Sequence, residues 1–299
     1  MKEISGKTRL FAVYGTPIEH SLSPLIHNAS FRHIGVDARY LAFDVKCENI
    51  ESAISSMRTL FFGGVNLTMP LKKVVIPYLD SLTESAQLIG AVNTLYWKEG
   101  KLVGHNTDGA GMVRAIREEN GEVTGKNVVV LGTGGASLAI CAQLGLEKAA
   151  QVRVFKRNNS TFMQSQSDIR ALSECVCVPM DVYDIDDSVL VRRYAYEADV
   201  VINATPVGMG KPDESPLPSD VFHLGQYVAD AVYHPRMTRM LRDAQKSGAH
   251  IVEGVGMLLW QALLAEEVWL ADELKNSEKS LDPSVIIPVL GLSNEPYRN

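Results

Sequence analysis

Short apolar runs alternate with longer stretches of helical period along most of the chain, the rhythm of parallel sheets with helices packed on them. Arg9–Tyr14 predicts a strand, and Ser23-Pro24 opens a helical stretch to about His33. Ser23 is placed to cap that helix, with Pro24 at its first position. Tyr40–Val45 predicts a second strand, Glu48–Leu60 a helix and Gly64–Thr68 a third short strand. Val92–Trp97 and Lys101–Val103, split by Glu99-Gly100, predict a hairpin. A helix from about Asp108 to Glu119 stops at Asn120-Gly121.

The pattern then restarts, which argues for two α/β units. Asn127–Leu131 predicts a buried strand, Gly135–Leu146 a helix and Val152–Phe155 a strand. Cys175–Pro179, Val200–Asn203 and Tyr227–Asp230 are further predicted strands. Met237–Ser247, Met257–Leu270 and a short segment near Pro283–Leu290 predict helices.

Composition narrows the class. A chain of 299 residues, 46% hydrophobic and 21% charged, suits a soluble globular enzyme of one large or two medium domains. The formal charge of −6 disfavours nucleic acid and anionic membrane as partners. Met1–Leu10 is polar, and no run approaches the ~20 apolar residues of a membrane span. Of the cysteines at 47, 141, 175 and 177, only Cys175 and Cys177 are close, and that pair lacks a second Cys/His pair for zinc. No metal is expected, the thiols read as reduced and buried, and the location as cytoplasmic. A homodimer is compatible with the sequence, which carries no signal for oligomeric state.

The segment Asn127–Leu131, Gly132-Thr133-Gly134-Gly135-Ala136-Ser137 is strand, glycine turn and helix start in order. Glycines there let a diphosphate approach backbone N–H groups at a helix N-terminus. Ser137 stands where a third glycine would complete the dinucleotide pattern; a plain strand-to-helix turn is the competing reading. The next strand runs into Lys156-Arg157-Asn158-Asn159, without the acid that commonly binds the ribose hydroxyls of NAD. Lys156 or Arg157 could instead bind a 2′-phosphate, which leans the cofactor towards NADP over NAD.

Three earlier segments are dense in polar groups. Ser21 and Ser23, two apart at a helix start, suit a small carboxylate. Asn66 and Thr68 share one face of a strand, with Lys72 one turn on; Asn93-Thr94 and Gly104-His105-Asn106-Thr107-Asp108-Gly109 follow. Taken singly, each reads as capping or a solvated charge.

In this order, ahead of a glycine turn, they resemble the shikimate dehydrogenase family. The matching stretches are Gly15–Pro24, Asn66–Lys72, Gly90–Thr94, Asn106–Gly109, Gly132–Ser137, Asn203–Met209 and Gly254–Gln261, nearly end to end. The Ser21-Leu-Ser-Pro24 and Met257-Leu-Leu-Trp-Gln261 forms look most like the quinate/shikimate branch.

The resemblance implies an α/β chain of two domains with the active site in the cleft between them. A substrate domain would comprise 1–108 and 256–299, and a Rossmann-type dinucleotide domain 109–255. Ser21 and Ser23 would bind the carboxylate of a cyclitol acid, Asn93, Asp108 and Gln261 its ring hydroxyls, with Thr68 and Tyr233 close by. Lys72 and Asp108 would be the acid/base pair. Thr133, Gly134, Gly135 and Ala136 would meet the diphosphate, Lys156, Arg157, Asn158 and Asn159 the adenosine ribose, and Val232 and Gly254 the nicotinamide. The implied reaction is reversible reduction of 3-dehydroshikimate with NADP or NAD. Rival readings are a dehydrogenase acting on quinate and a cofactor-binding regulator without turnover. The Lys156-Arg157-Asn158 sequence departs from the family's usual Asn-Arg, and His105 stands where many relatives carry Asp. His20, His27 and His105 have capping and packing spacings and no catalytic role is assigned to them.

Overall fold

The computed structural model describes residues 3–211, 213–275 and 280–290. Contacts divide them into two compact units, one of residues 3–107 with 261–275 and 280–290, the other Asp108–Trp260.

The first unit holds strands β1 (Arg9–Gly15), β2 (Ala38–Asp44), β3 (Gly64–Leu67), β4 (Ser81–Leu82), β5 (Thr94–Lys98) and β6 (Lys101–His105). Between them run helices α1 (Ser23–Ile34), α2 (Ile50–Thr59), α3 (Leu71–Val74) and α4 (Glu84–Ile89). The sheet order is β2-β1-β3-β5-β6-β4. β2, β1 and β3 run parallel, while β5 and β6 form an antiparallel hairpin whose turn residues Glu99 and Gly100 both have positive φ. That is the primed turn which matches strand twist.

Unit two holds α5 (Asp108–Glu118), β7 (Asn127–Leu131), α6 (Gly135–Leu146), β8 (Gln151–Lys156), α7 (Phe162–Val176), β9 (Met180–Asp184) and α8 (Ser188–Glu197). It continues through β10 (Val200–Asn203), β11 (Tyr227–Asp230), α9 (Arg239–Lys246) and β12 (His250–Val252). Its sheet is wholly parallel, in the order β12-β11-β10-β7-β8-β9. This is the doubly wound order of dinucleotide-binding sheets, and the strand order reverses between β7 and β10. Val128–Leu131 and Val200–Ile202 are almost wholly buried, as strands covered on both faces must be. A helix α10 (Gly254–Trp269) and a short α11 (Ala271–Lys275) follow.

Residues 261–275 belong to the first unit, and Ala265, Trp269 and Leu270 enter its core. Trp269 lies across β3, where a Cβ on Gly64 would come 2.1 Å from its Nε1. That nitrogen donates to the Leu95 carbonyl at 2.9 Å. Phe11, Phe31, Tyr40, Ala265 and Leu270 belong to the same cluster.

Three expectations are corrected. Cys175–Pro179 is not a strand: Cys175 and Val176 end α7, and Cys177 turns the chain with φ 55 before β9 begins at Met180. Val176, Val178 and Met180 are buried between exposed neighbours, so burial alternates with the period of a strand across a helix end. The thiols are not uniformly buried either, since only Cys141 is and the others are exposed. The Pro283–Leu290 helix is two 3-10 turns. The stretch 291–299, expected in the substrate domain, lies outside the described residues. Among the described residues no helix is long and apolar enough to cross a membrane.

Candidate active site

In the first unit, three parallel strand ends and the hairpin converge on one buried polar network. Ser21 and Ser23 enter at the start of α1, but the capping runs opposite to expectation. Ser23 is the first helical residue, and Ser21 Oγ accepts its backbone N–H at 3.3 Å. The Ser23 hydroxyl is left to bond the buried Tyr40 hydroxyl. Tyr40 Oη donates to Asn66 Oδ1 at 2.7 Å, and Asn66 Nδ2 donates to the Asn93 carbonyl and to Thr94 Oγ1, both at 3.1 Å.

Asn93 is the hub. Its Oδ1 accepts from Thr94 Oγ1 at 2.8 Å and from the Thr107 N–H at 2.9 Å, while its Nδ2 donates to Thr107 Oγ1 at 2.9 Å. The Thr107 hydroxyl donates in turn to the Gln261 carbonyl at 2.8 Å, joining the second chain segment of this unit to the first. The amides of Asn66 and Asn93 have their orientations set by bonds on both ends, which costs little when all partners are satisfied.

Lys72 sits on the short α3, half-buried, with Leu71 locked in the core beneath it. Its own carbonyl accepts the Val92 N–H at 2.8 Å, so the residue preceding Asn93 is tied directly to Lys72. Thr68 is fixed by its N–H to the Tyr14 carbonyl at 2.9 Å. Ser21, Ser23, Thr68, Lys72, Asn93 and Gln261 thus all belong to this unit.

Asp108 is the first residue of α5, is 8% exposed, and follows Thr107 directly in the chain. It belongs to the second unit, as do Tyr233 and every predicted cofactor residue. There the glycine turn links β7 to α6 at the strand-order reversal. Gly132 has φ +102, and Gly134 and Gly135 face open space where side chains would stand. The first N–H groups of α6 have no intrahelical acceptor, so backbone donors and a helix N-terminus meet a ligand approaching here. Ser137 replaces the third glycine without loss of packing: it is fully buried and its hydroxyl bonds the Gly132 carbonyl at 2.5 Å.

Lys156 departs from expectation. Its ammonium turns inward onto Asn159, Thr161 and Ser165, while Arg157, Asn158 and Asn159 are exposed. At the end of β11, Val232 is held by its N–H to Asp230 Oδ1 at 2.9 Å. A Cβ on Gly254 would come 2.4 Å from the Val232 carbonyl, so only glycine admits α10 this close.

The sequence reading missed Tyr40, Thr107 and Asp230. Asp230 is fully buried, accepting also from Asn203 Nδ2 at 2.9 Å and Thr238 Oγ1 at 2.7 Å. Burial pushes its carboxyl up to about 6, against the pull of the Val232, Thr238 and Asn203 bonds. An acid closing a buried strand was a usable signal; Tyr40 offered none. His105 is half-buried against the Thr83 and Ser85 hydroxyls, and desolvation there lowers its pKa.

Residues 13–95 match the family model for the shikimate dehydrogenase substrate binding domain. The NADP(+) shikimate dehydrogenase of Streptococcus suis is 41% identical over 273 residues, 91% of this chain and 94% of that protein. The chain belongs to the shikimate dehydrogenase family. The crystal structure of the family member from Listeria monocytogenes, in complex with shikimate and NAD, superposes with TM-score 0.90 at 35% identity, covering 97% of this chain and 99% of that one. The family's fold also carries a quinate dehydrogenase from Corynebacterium glutamicum, in complex with NAD, at TM-score 0.82 and 25% identity over 95% and 98% of the two chains.

Proposed function

We propose that this chain is an NAD(P)-dependent shikimate dehydrogenase, interconverting 3-dehydroshikimate and shikimate. The observation that carries the reading is the Ser23–Tyr40–Asn66–Asn93–Thr107 network. It fixes hydroxyl and amide groups beside Lys72 for a small polyhydroxylated acid. In this reading the first unit is the substrate half and the second the cofactor half.

The glycine turn fits a dinucleotide: its two open glycines and the first N–H groups of α6 would hold the diphosphate. Arg157 to Asn159 would line the adenosine ribose, and Val232 and Gly254 the nicotinamide. The nicotinamide, when bound, supplies or accepts the hydride.

The chain's own groups do the rest. Ser21 and Ser23 hydroxyls bind the substrate carboxylate. Asn93 and Gln261 orient ring hydroxyls, with Thr68 and Tyr233 bordering them. As the carbonyl oxygen gains negative charge, the Lys72 ammonium stabilises it and gives up a proton; Asp108 orients the hydroxyl and shares in the proton transfer.

Steady-state assays of shikimate and quinate, each with NADP and NAD, test this. Turnover of shikimate by the purified full chain is expected with at least one cofactor. Turnover of quinate in preference would move the protein to the quinate branch, and cofactor binding without activity on either acid would overturn the reading.

A further inference from the structure

Lys156 ends β8 where many dinucleotide-binding sheets place an acid for the ribose hydroxyls. The residue is 8% exposed, and its ammonium stands among three neutral oxygens: Thr161 Oγ1 at 2.6 Å, Ser165 Oγ at 3.1 Å and Asn159 Oδ1 at 3.2 Å. The protons around it can be followed one by one. The Thr161 hydroxyl donates to Asn159 Oδ1 at 2.9 Å, and the Ser165 hydroxyl donates to Thr133 Oγ1 at 3.2 Å. Both oxygens therefore face the lysine as acceptors, and an amide oxygen only accepts. All three ammonium protons are used inside the protein.

Among the described residues Lys156 forms no ion pair. The acid in register with it on β9, Asp184, takes the Asp186 N–H at 3.0 Å instead. A cation held under a loop in a medium less polar than water acts over a longer distance than one on a solvated side chain. The exposed loop it underlies begins with Arg157.

We propose that Lys156 is a positioning residue that favours a 2′-phosphorylated ribose without touching it; this rests on the dehydrogenase reading above. One ammonium ties together the end of β8, the 159–161 turn and the first turn of α7. Through Ser165 it also holds Thr133 of the glycine turn. The same charge raises the potential of the loop from which Arg157 meets the phosphate. A 2′-phosphate carries up to two negative charges into that field, whereas the 2′-hydroxyl of NAD carries none.

The test is kcat and KM for NADP and for NAD, at saturating shikimate, in the wild-type chain, Lys156→Gln and Lys156→Arg. Calorimetric titration with 2′,5′-ADP and with 5′-AMP repeats the contrast without turnover. In Lys156→Gln the KM for NADP and the Kd for 2′,5′-ADP are expected to rise about tenfold. The KM for NAD and the Kd for 5′-AMP should move less than about twofold, since they lack the charge. Lys156→Arg should restore most of the NADP preference. An unchanged NADP-to-NAD ratio in Lys156→Gln, or an equal loss for both cofactors, would overturn the proposal. Should that variant not fold, Thr161→Val loosens the same ammonium site, with the same two outcomes. A wild-type chain that turns over neither cyclitol acid refutes the dehydrogenase reading, while the 2′,5′-ADP titrations still decide the role of Lys156.

Discussion

His27 Nδ1 lies 2.6 Å from Glu266 Oε1, with both side chains sealed from solvent and the two residues 239 positions apart in the chain. Ser30 Oγ donates to the other carboxylate oxygen at 2.5 Å, and the His27 ring stacks on Tyr40 at 4.2 Å between centroids. Tyr40 in turn bonds Asn66 and Ser23, so α10 supports the substrate-side network from behind. Burial raises the Glu266 carboxyl, opposed by the bonds from His27 and Ser30. Removing it leaves two buried polar groups without their partner. Glu266→Ala should therefore cost about 3–5 kcal/mol, read as a lower urea midpoint. A midpoint equal to wild type would show that the pair contributes nothing net.

Lys72 is expected to matter for rate more than for binding. Lys72→Met should lower kcat by about 10²–10⁴-fold while substrate and cofactor still bind. Normal binding with near-wild-type turnover would remove Lys72 from the chemistry.

The start of α5 is set by a glycine. A Cβ at Gly109 would come 2.1 Å from the Ala139 carbonyl oxygen and 2.9 Å from Gln143 Cβ, so α5 rests on α6 with no room between them. Gly109→Ala should lower stability by about 1–3 kcal/mol and, by displacing the adjacent Asp108, reduce kcat as well. A thermal melt and an assay matching wild type would show that the two helices separate freely.

Asp230 gives a pH signature. Its folded carboxyl keeps a proton up to about pH 6, whereas the ordinary value is 3.8. The group thus adds stability that is fully present below about pH 4 and is lost as the pH rises through 6. At 1.36 kcal/mol per unit the change is about 3 kcal/mol. Asp230→Asn should flatten the stability curve between about pH 4 and 6 by that order, measured by urea unfolding across the range. Parallel curves for the two proteins would place the titration elsewhere.

What the sequence determined by itself was the local material. The valine runs of β7 and β10, the Glu99-Gly100 turn and the Gly132–Ser137 turn are written in side-chain period and backbone permissiveness, which act within a few residues. Motif order then placed Ser21, Ser23, Lys72, Asn93 and Asp108 in one chemical reading. Only the tertiary structure decided which polar groups answer one another. Tyr40 looked like one more strand aromatic until its hydroxyl met Ser23 and Asn66. His27 showed no acidic neighbour because its partner arrives on α10. Lys156 looked like a phosphate ligand because sequence records a charge but not its direction. Hydrogen bonds and buried charges are settled by distance in space, and in this chain those distances join residues as far apart as 27 and 266.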